Sequence, residues 1–144
     1  MMGVKKNRSR INTHGLRLNQ VTLGAIDFAA SVLFYQRLGL TLIVDSTPRY
    51  VRFEFPPAPD GGEPATLSLH SVEDGWSPPA DWPLIYFEVD DVAAFLKDAD
   101  IAPLSPPEMK TYLWEEADIL DPSGNRIRIF KAGTKRRFPP WRMG

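Results

Sequence analysis

Any chemistry in this chain has to be built from few reactive side chains. The sequence contains no cysteine and only two histidines, His14 and His70. That excludes disulfides, thiolate zinc sites and cysteine nucleophiles, and leaves almost no material for a histidine-rich metal site or a Ser-His triad. Arg128, in the run RIRIF, carries a guanidinium able to grip a carboxylate or phosphate bidentately. Its competing reading is an ion pair with Asp118, brought opposite by the DPSG turn. His70 precedes SVEDG at a strand end, either as a general base or ligand contact or as an exposed edge histidine. Glu116 is either a catalytic carboxylate with a pKa raised by burial or a solvated strand residue beside Glu115. Gln20 offers both a donor and an acceptor to a polar small molecule. Trp114, Tyr86, Tyr112 and Tyr50 supply flat faces for an aromatic or planar ligand, or simply fill a half-buried sheet.

A body of 144 residues, 43% hydrophobic, is long enough for one domain with its own core. No apolar run reaches the ~18 residues of a spanning helix. The basic start MMGVKKNRSR lacks an apolar h-region, so no secretory signal is expected and the protein is expected to be cytoplasmic. Charge is segregated. Residues 1–17 carry five basic groups and no acid, residues 131–144 carry five more and no acid, and residues 18–130 hold seven basic and eighteen acidic groups, a net of −11. An acidic body with two basic tails argues against a nucleic-acid-binding core. The tails, 1–15 and 132–144, are expected to be solvated or folded back on the acidic surface.

The fourteen prolines cluster between periodic segments and mark boundaries. LRLNQVTLG (16–24) alternates as a strand. Asp27 then stands as N-cap before FAASVLFYQRLG, whose stripe of Phe28, Val32, Leu33 and Tyr35 predicts a helix ending near Gly39. Strands are predicted over 40–45, 49–55 and 65–71. The pattern then restarts, with a strand over 83–90, a short helix after Asp91, a proline-broken stretch, a strand over 111–120, the DPSG turn and a last strand over 125–131. A slide of 64 residues superposes Asp27 on Asp91 and Gln20 on Leu84; a slide of 60 superposes Ser68 on Arg128. The order is βαβββ twice, an α+β fold of mainly antiparallel strands with helices on one face. The two modules are 16–71 and 82–131. Trp76 and Trp82 fall in the linker between them, to pack it down or to meet a partner subunit. PPWRMG places an aromatic anchor in the C-terminal tail.

The segments LNQVTLGAIDFAASVLFYQRLGL, IYFEVDDVAAFL and DPSGNRIRIF resemble the vicinal oxygen chelate superfamily, which includes glyoxalase I, bleomycin-resistance proteins, fosfomycin-resistance enzymes and extradiol dioxygenases. The resemblance implies a curved mixed sheet, made by the paired modules, around a cleft. It also implies that metal-using members place four ligands on the concave face, at positions that here read Gln20, Ser68, Leu84 and Arg128. Serine is a poor neutral ligand and leucine is none. A divalent ion about 4 Å from a guanidinium would meet about 8 kcal/mol of repulsion at an effective dielectric of about 20. The family's metal chemistry is therefore expected to be lost, with no cofactor in its place.

Strand alternation and the family alignment put Gln20, Thr22, Thr66, Ser68, His70, Leu84, Tyr86, Glu88, Arg126 and Arg128 on the concave face, joined by Tyr112, Trp114, Glu116 and Asp118. From these we expect a metal-independent small-molecule-binding protein whose ligand is a small anionic or aromatic compound. The predicted ligand-binding set is Gln20, Thr22, Ser68, His70, Leu84, Tyr86, Trp114, Glu116 and Arg128. The alternative is a glyoxalase-like lyase, isomerase or dioxygenase with a degenerate or displaced site built from Gln20, His70 and Glu116. The family habit of pairing modules within or between chains implies a homodimer. A protein-interaction module working through the basic tails is the third reading.

Overall fold

Two aspartates start the two helices in the same way. In the computed structural model, which describes residues 12–144, the Asp27 carboxylate accepts from the Ala30 amide at 3.0 Å and the Asp91 carboxylate accepts from the Ala94 amide at 3.0 Å. Each satisfies an amide that the first helical turn leaves without a partner. The basic N-terminal tail expected over 1–15 lies, apart from 12–15, outside the described residues.

The first module contains β1 (Gln20–Ala25), α1 (Phe28–Arg37), β2 (Thr41–Ser46), β3 (Tyr50–Glu54) and β4 (Thr66–Ser71). The second contains β5 (Ile85–Glu88), α2 (Val92–Ala99), β6 (Glu108–Met109), β7 (Glu115–Leu120) and β8 (Arg126–Lys131). Each builds a four-stranded mixed sheet, in the orders β1-β4-β3-β2 and β5-β8-β7-β6. The first strand of each module pairs parallel with the last, and the other ladders are antiparallel. The repeated βαβββ order is thus present. The proline-broken stretch contributes only the two-residue β6, because Pro103, Pro106 and Pro107 fall just before it and cannot donate to a ladder.

Alternation sorts the side chains of every long strand. Val51, Phe53, Leu67, Leu69, Ile119, Ile127 and Ile129 are fully buried. One apolar cluster takes members from both modules and both helices, and Phe55 meets Phe87 edge-on across the junction with ring centroids 5.0 Å apart. The helix stripe differs from expectation at one place. Phe34 is buried with Phe28, Ser31 and Tyr35, while Leu33 is 61% exposed, because at 100° per residue position 33 falls outside the arc that holds the other four.

The junction is tied by the DPSGN turn. The Asp121 carboxylate accepts from Tyr35 Oη on α1 at 2.7 Å, and from the Ser123 and Asn125 amides and Asn125 Nδ2 within its own turn. Ser123 Oγ accepts from the Ile26 amide and Asn125 Nδ2 donates to the Gly24 carbonyl. The linker Trp76 packs down on β1 at Gly24, where a Cβ would lie 2.6 Å from its ring. Trp82 remains 75% exposed. Beyond β8, the Glu88 carboxylate accepts from the Ala132 and Gly133 amides and so anchors the start of the C-terminal tail. Among the described residues no helix is long and apolar enough to cross a membrane.

Candidate functional site

The polar side chains of the strands gather on the faces opposite the core, and the two faces differ. On the second module, Asp118 is nearly buried and serves two arginines. Its carboxylate accepts from Arg128 Nε at 2.7 Å and Nη2 at 2.9 Å, and from Arg126 Nε at 2.8 Å. Arg126 Nη2 adds a further contact. Burial pushes the Asp118 carboxyl up, and the hydrogen bonds and positive charge of Arg128 and Arg126 more than offset it, leaving the carboxyl below its ordinary range. The same bonds hold the Arg128 guanidinium still more firmly protonated.

Arg128 Nη1 faces Glu116 Oε1 at 3.2 Å and Tyr86 Oη at 3.4 Å, and the guanidinium lies 5.6 Å from the Tyr86 ring centroid. Glu116 is 4% exposed. Its Oε1 also accepts from Tyr112 Oη at 2.7 Å. Burial, that bond and the Glu116 charge push the Tyr112 phenol up to about 12. Trp114 stacks on Phe130 at 4.9 Å and 24°. Tyr86 stands edge-on to both, and Tyr112 edge-on to Trp114. Because Tyr86 and Tyr112 are 43% and 40% exposed, this panel offers aromatic surface to a ligand.

A groove of about 500 Å³ runs between β1 and the start of β5, lined by Gln20, Thr66, Phe55, Leu84, Phe87 and Tyr86 among others. It is mostly apolar, and Tyr86 joins it to the aromatic panel. Leu84 and Tyr86 line the groove with Gln20 across it, and Tyr86 contacts Trp114 and Arg128, which in turn faces Glu116. The remaining expected residues lie apart from these. Thr22 borders a smaller hollow of about 150 Å³ under the linker, with Trp76 and Pro78. Ser68 is fully buried with its Oγ 2.6 Å from Tyr50 Oη. His70 lies four residues along β4 from Thr66, the partner of Gln20, about 13 Å away at the rise of a strand. Its Nδ1 contacts the Ser71 carbonyl at 2.8 Å.

The four positions that the family resemblance marks as ligand positions do not suit a divalent ion. Gln20 Oε1 accepts from Thr66 Oγ1 at 2.8 Å, the Ser68 hydroxyl is engaged by Tyr50, Leu84 has no donor atom, and Arg128 puts a fixed cation into the set. The substitute set does not converge either. Gln20 and His70 are separated along the β1–β4 pair, and Glu116 belongs to the other sheet with its Oε1 taken. Among the described residues no group of three His, Asp or Glu side chains is gathered to hold an ion.

Sequence reasoning found Arg128, Asp118 and the aromatics of this face. It did not give functional weight to Phe55, Phe87 and Phe130, whose apolar character fitted core strands equally well, or to the competition of Arg126 for Asp118. The i, i+2 spacing of the two arginines on one strand was the available signal.

The architecture can be set beside known proteins. The model of the Glyoxalase/Bleomycin resistance protein/Dioxygenase superfamily matches residues 17–129. No curated protein matches the chain in sequence. Among solved structures, the chain is similar to a bleomycin resistance determinant encoded on the transposon Tn5, at 20% identity and a TM-score of 0.63, over 82% of this chain and 99% of that one. It is similar to lactoylglutathione lyase from Agrobacterium tumefaciens, at 18% identity and a TM-score of 0.61, over 83% and 96%. It is also similar to a bleomycin-binding protein complexed with bleomycin, at 21% identity and a TM-score of 0.59, over 81% and 98%. At these identities the likenesses establish the fold.

Proposed function

The chain belongs to the glyoxalase/bleomycin resistance protein/dioxygenase superfamily, and from that premise we propose that it binds a small molecule, without metal chemistry, on the open face of its second module and the adjoining groove. The observation that carries the reading is Arg128. A guanidinium fixed by Asp118 occupies one former ligand position, and the exposed ring of Tyr86 lies directly beside it. One solved structure of the same fold is a bleomycin-binding protein in complex with bleomycin, which supports small-molecule binding as a use of this fold. The aromatic half of the expected ligand finds Tyr86 and Trp114. The anionic half finds an arginine whose Nε and Nη2 are already spent on Asp118. The binding surface consists of Leu84, Tyr86, Trp114, Glu116 and Arg128, with Gln20 opposite; Thr22, Ser68 and His70 complete the set named from sequence without facing it.

The test pairs two measurements on the whole chain. Elemental analysis after exposure to zinc, nickel, iron and manganese is expected to find no stoichiometric metal. Aromatic fragments are expected to perturb the Trp114 indole resonance, with the response lost in Tyr86→Ala. Stoichiometric metal removed by Gln20→Ala would overturn the reading, as would fragments that leave Trp114 unmoved.

We also propose that the protein is a homodimer. Leu16 and Leu18, before β1, are fully exposed, and Leu18 borders the groove; this is apolar surface of the kind an interface buries. Light scattering should return twice 16.2 kDa; the monomer mass at micromolar concentration would refute it.

A further inference from the structure

The surface already described adjoins a chamber of about 370 Å³, bounded by Pro106, Pro107 and Lys110 on one side and by Glu116, Arg126 and Arg128 on the other. Glu116 is the unusual group in it. Its Oε2 is buried and accepts no hydrogen bond from any described residue. The donors beside it make their hydrogen bonds to other atoms. Tyr112 Oη donates to Oε1, and Arg128 Nη1 is ion-paired with Oε1 while it donates to Tyr86 Oη. The Nε and Nη2 atoms of both arginines go to Asp118. Lys110 Nζ goes to Glu108.

Buried carboxylate oxygens are normally satisfied, and one left without a donor costs the folded chain free energy. We infer that Glu116 Oε2 is the acceptor for an N–H donor of the bound ligand, and that the ligand is a planar aromatic compound with an amidine or amide head rather than a carboxylate. The inference deepens, and rests on, the small-molecule reading given above.

Three observations converge on that chemistry. The chamber has the size of a small ligand's polar end. An anionic head would meet Glu116 and its cross-strand neighbour Glu108, while the Nε–Nη2 edges of Arg126 and Arg128 are closed by Asp118 and Lys110 is paired with Glu108. A donor head would complete Glu116, whose other carboxylate oxygen is bonded to Tyr112, the edge-on neighbour of Trp114.

Benzamidine, benzamide and benzoate are near-isosteric and differ in the head alone, so they form the test. Each is titrated into the full chain, followed by calorimetry and by the Trp114 indole resonance. Benzamidine is expected to bind at least tenfold more tightly than benzoate, with benzamide between them, and Glu116→Gln should bring the three within about threefold. The carboxyl carbon resonance of Glu116 in the unaltered protein should move with benzamidine and benzamide and stay still with benzoate, which decides the same question should Glu116→Gln fail to fold. Benzoate binding as tightly as benzamidine, or a benzamidine preference that survives Glu116→Gln, overturns the donor assignment while a Trp114 response keeps the small-molecule reading. If none of the three moves the Trp114 resonance at millimolar concentration, both readings fall.

Discussion

The open faces of the two modules share a frame and reverse its charge. In the first, Arg52 on β3 lies beside Ser68 on β4; in the second, Asp118 on β7 lies beside Arg128 on β8. The middle strand thus supplies a cation in one module and an anion in the other. Each module holds a tyrosine against that pattern. Tyr50 Oη sits between Ser68 Oγ at 2.6 Å and Arg52 Nε at 2.8 Å. Burial pushes its phenol up, and the bonds from Ser68 and Arg52 with the Arg52 charge outweigh that, so it titrates below its ordinary value. Tyr112 donates to Glu116 and is pushed up to about 12. A duplicated βαβββ frame therefore decides where side chains point, and leaves their charge free to diverge.

The largest expected effect comes from breaking the knot that makes the comparison one of faces on a single body. Asp121→Ala removes the acceptor for Tyr35, for two turn amides and for Asn125. A loss of about 3 kcal/mol is expected, since several bonds to one buried carboxylate vanish together and their donors stay buried. Urea denaturation measures it, and a fluorescence transition that no longer coincides with circular dichroism would show the modules uncoupling. A midpoint unchanged from the parent would remove the turn from the account.

Asp118→Asn sharpens the charge reversal. It leaves Arg128 without its main partner and is expected to cost about 2 kcal/mol, discounted because Arg126 is partly exposed. The sign with pH follows from the direction of the shift. A carboxyl held below its ordinary value in the fold contributes stability that is present above the unfolded pKa of about 3.9 and is lost as pH falls through the folded value. The parent should therefore lose this increment in mild to strong acid, and Asp118→Asn should show a correspondingly flatter acid limb. Parallel acid limbs in the two proteins would count against the clamp.

On the first module, Ser68→Ala should cost about 1 kcal/mol, the usual worth of one buried hydrogen bond, and should raise the Tyr50 phenol toward its ordinary value. Thermal denaturation gives the first effect. An unmoved tyrosine titration would mean that Ser68 plays no part in lowering it.

The smallest effect is spectroscopic. Ultraviolet titration of the phenols should begin with a step that Tyr50→Phe removes and end with late steps, that of Tyr112 near pH 12 and that of the buried Tyr35, whose phenol is also raised. Tyr112, raised in the fold, contributes stability that is full below the unfolded value of about 10 and is lost as pH climbs toward the folded one; Tyr50, lowered in the fold, acts with the opposite sign. Glu116→Gln should bring the Tyr112 step down, and coincident steps in the parent would erase the contrast between the faces.

Much of this was legible along the chain. The two capping aspartates, Gly39 after the first helix with its positive φ of 102°, the alternating strands and the repeat all rest on interactions between residues a few positions apart, which periodicity and cap chemistry report directly. The Arg128–Asp118 pair was legible for the same reason, since a tight turn fixes the register of the strands it joins. What the fold alone decided lies at long range. The Ser123–Ile26 and Asn125–Gly24 bonds span 97 and 101 residues, so DPSGN read as a turn in sequence and became a tie between modules only in space. Trp76 found Gly24 because one missing Cβ left room for its ring. Arg126 took a share of Asp118, and Glu116 kept an oxygen without a donor, because hydrogen-bond partners are allotted by competition among all donors within reach. That reach is set by how two sheets meet, which no local pattern records.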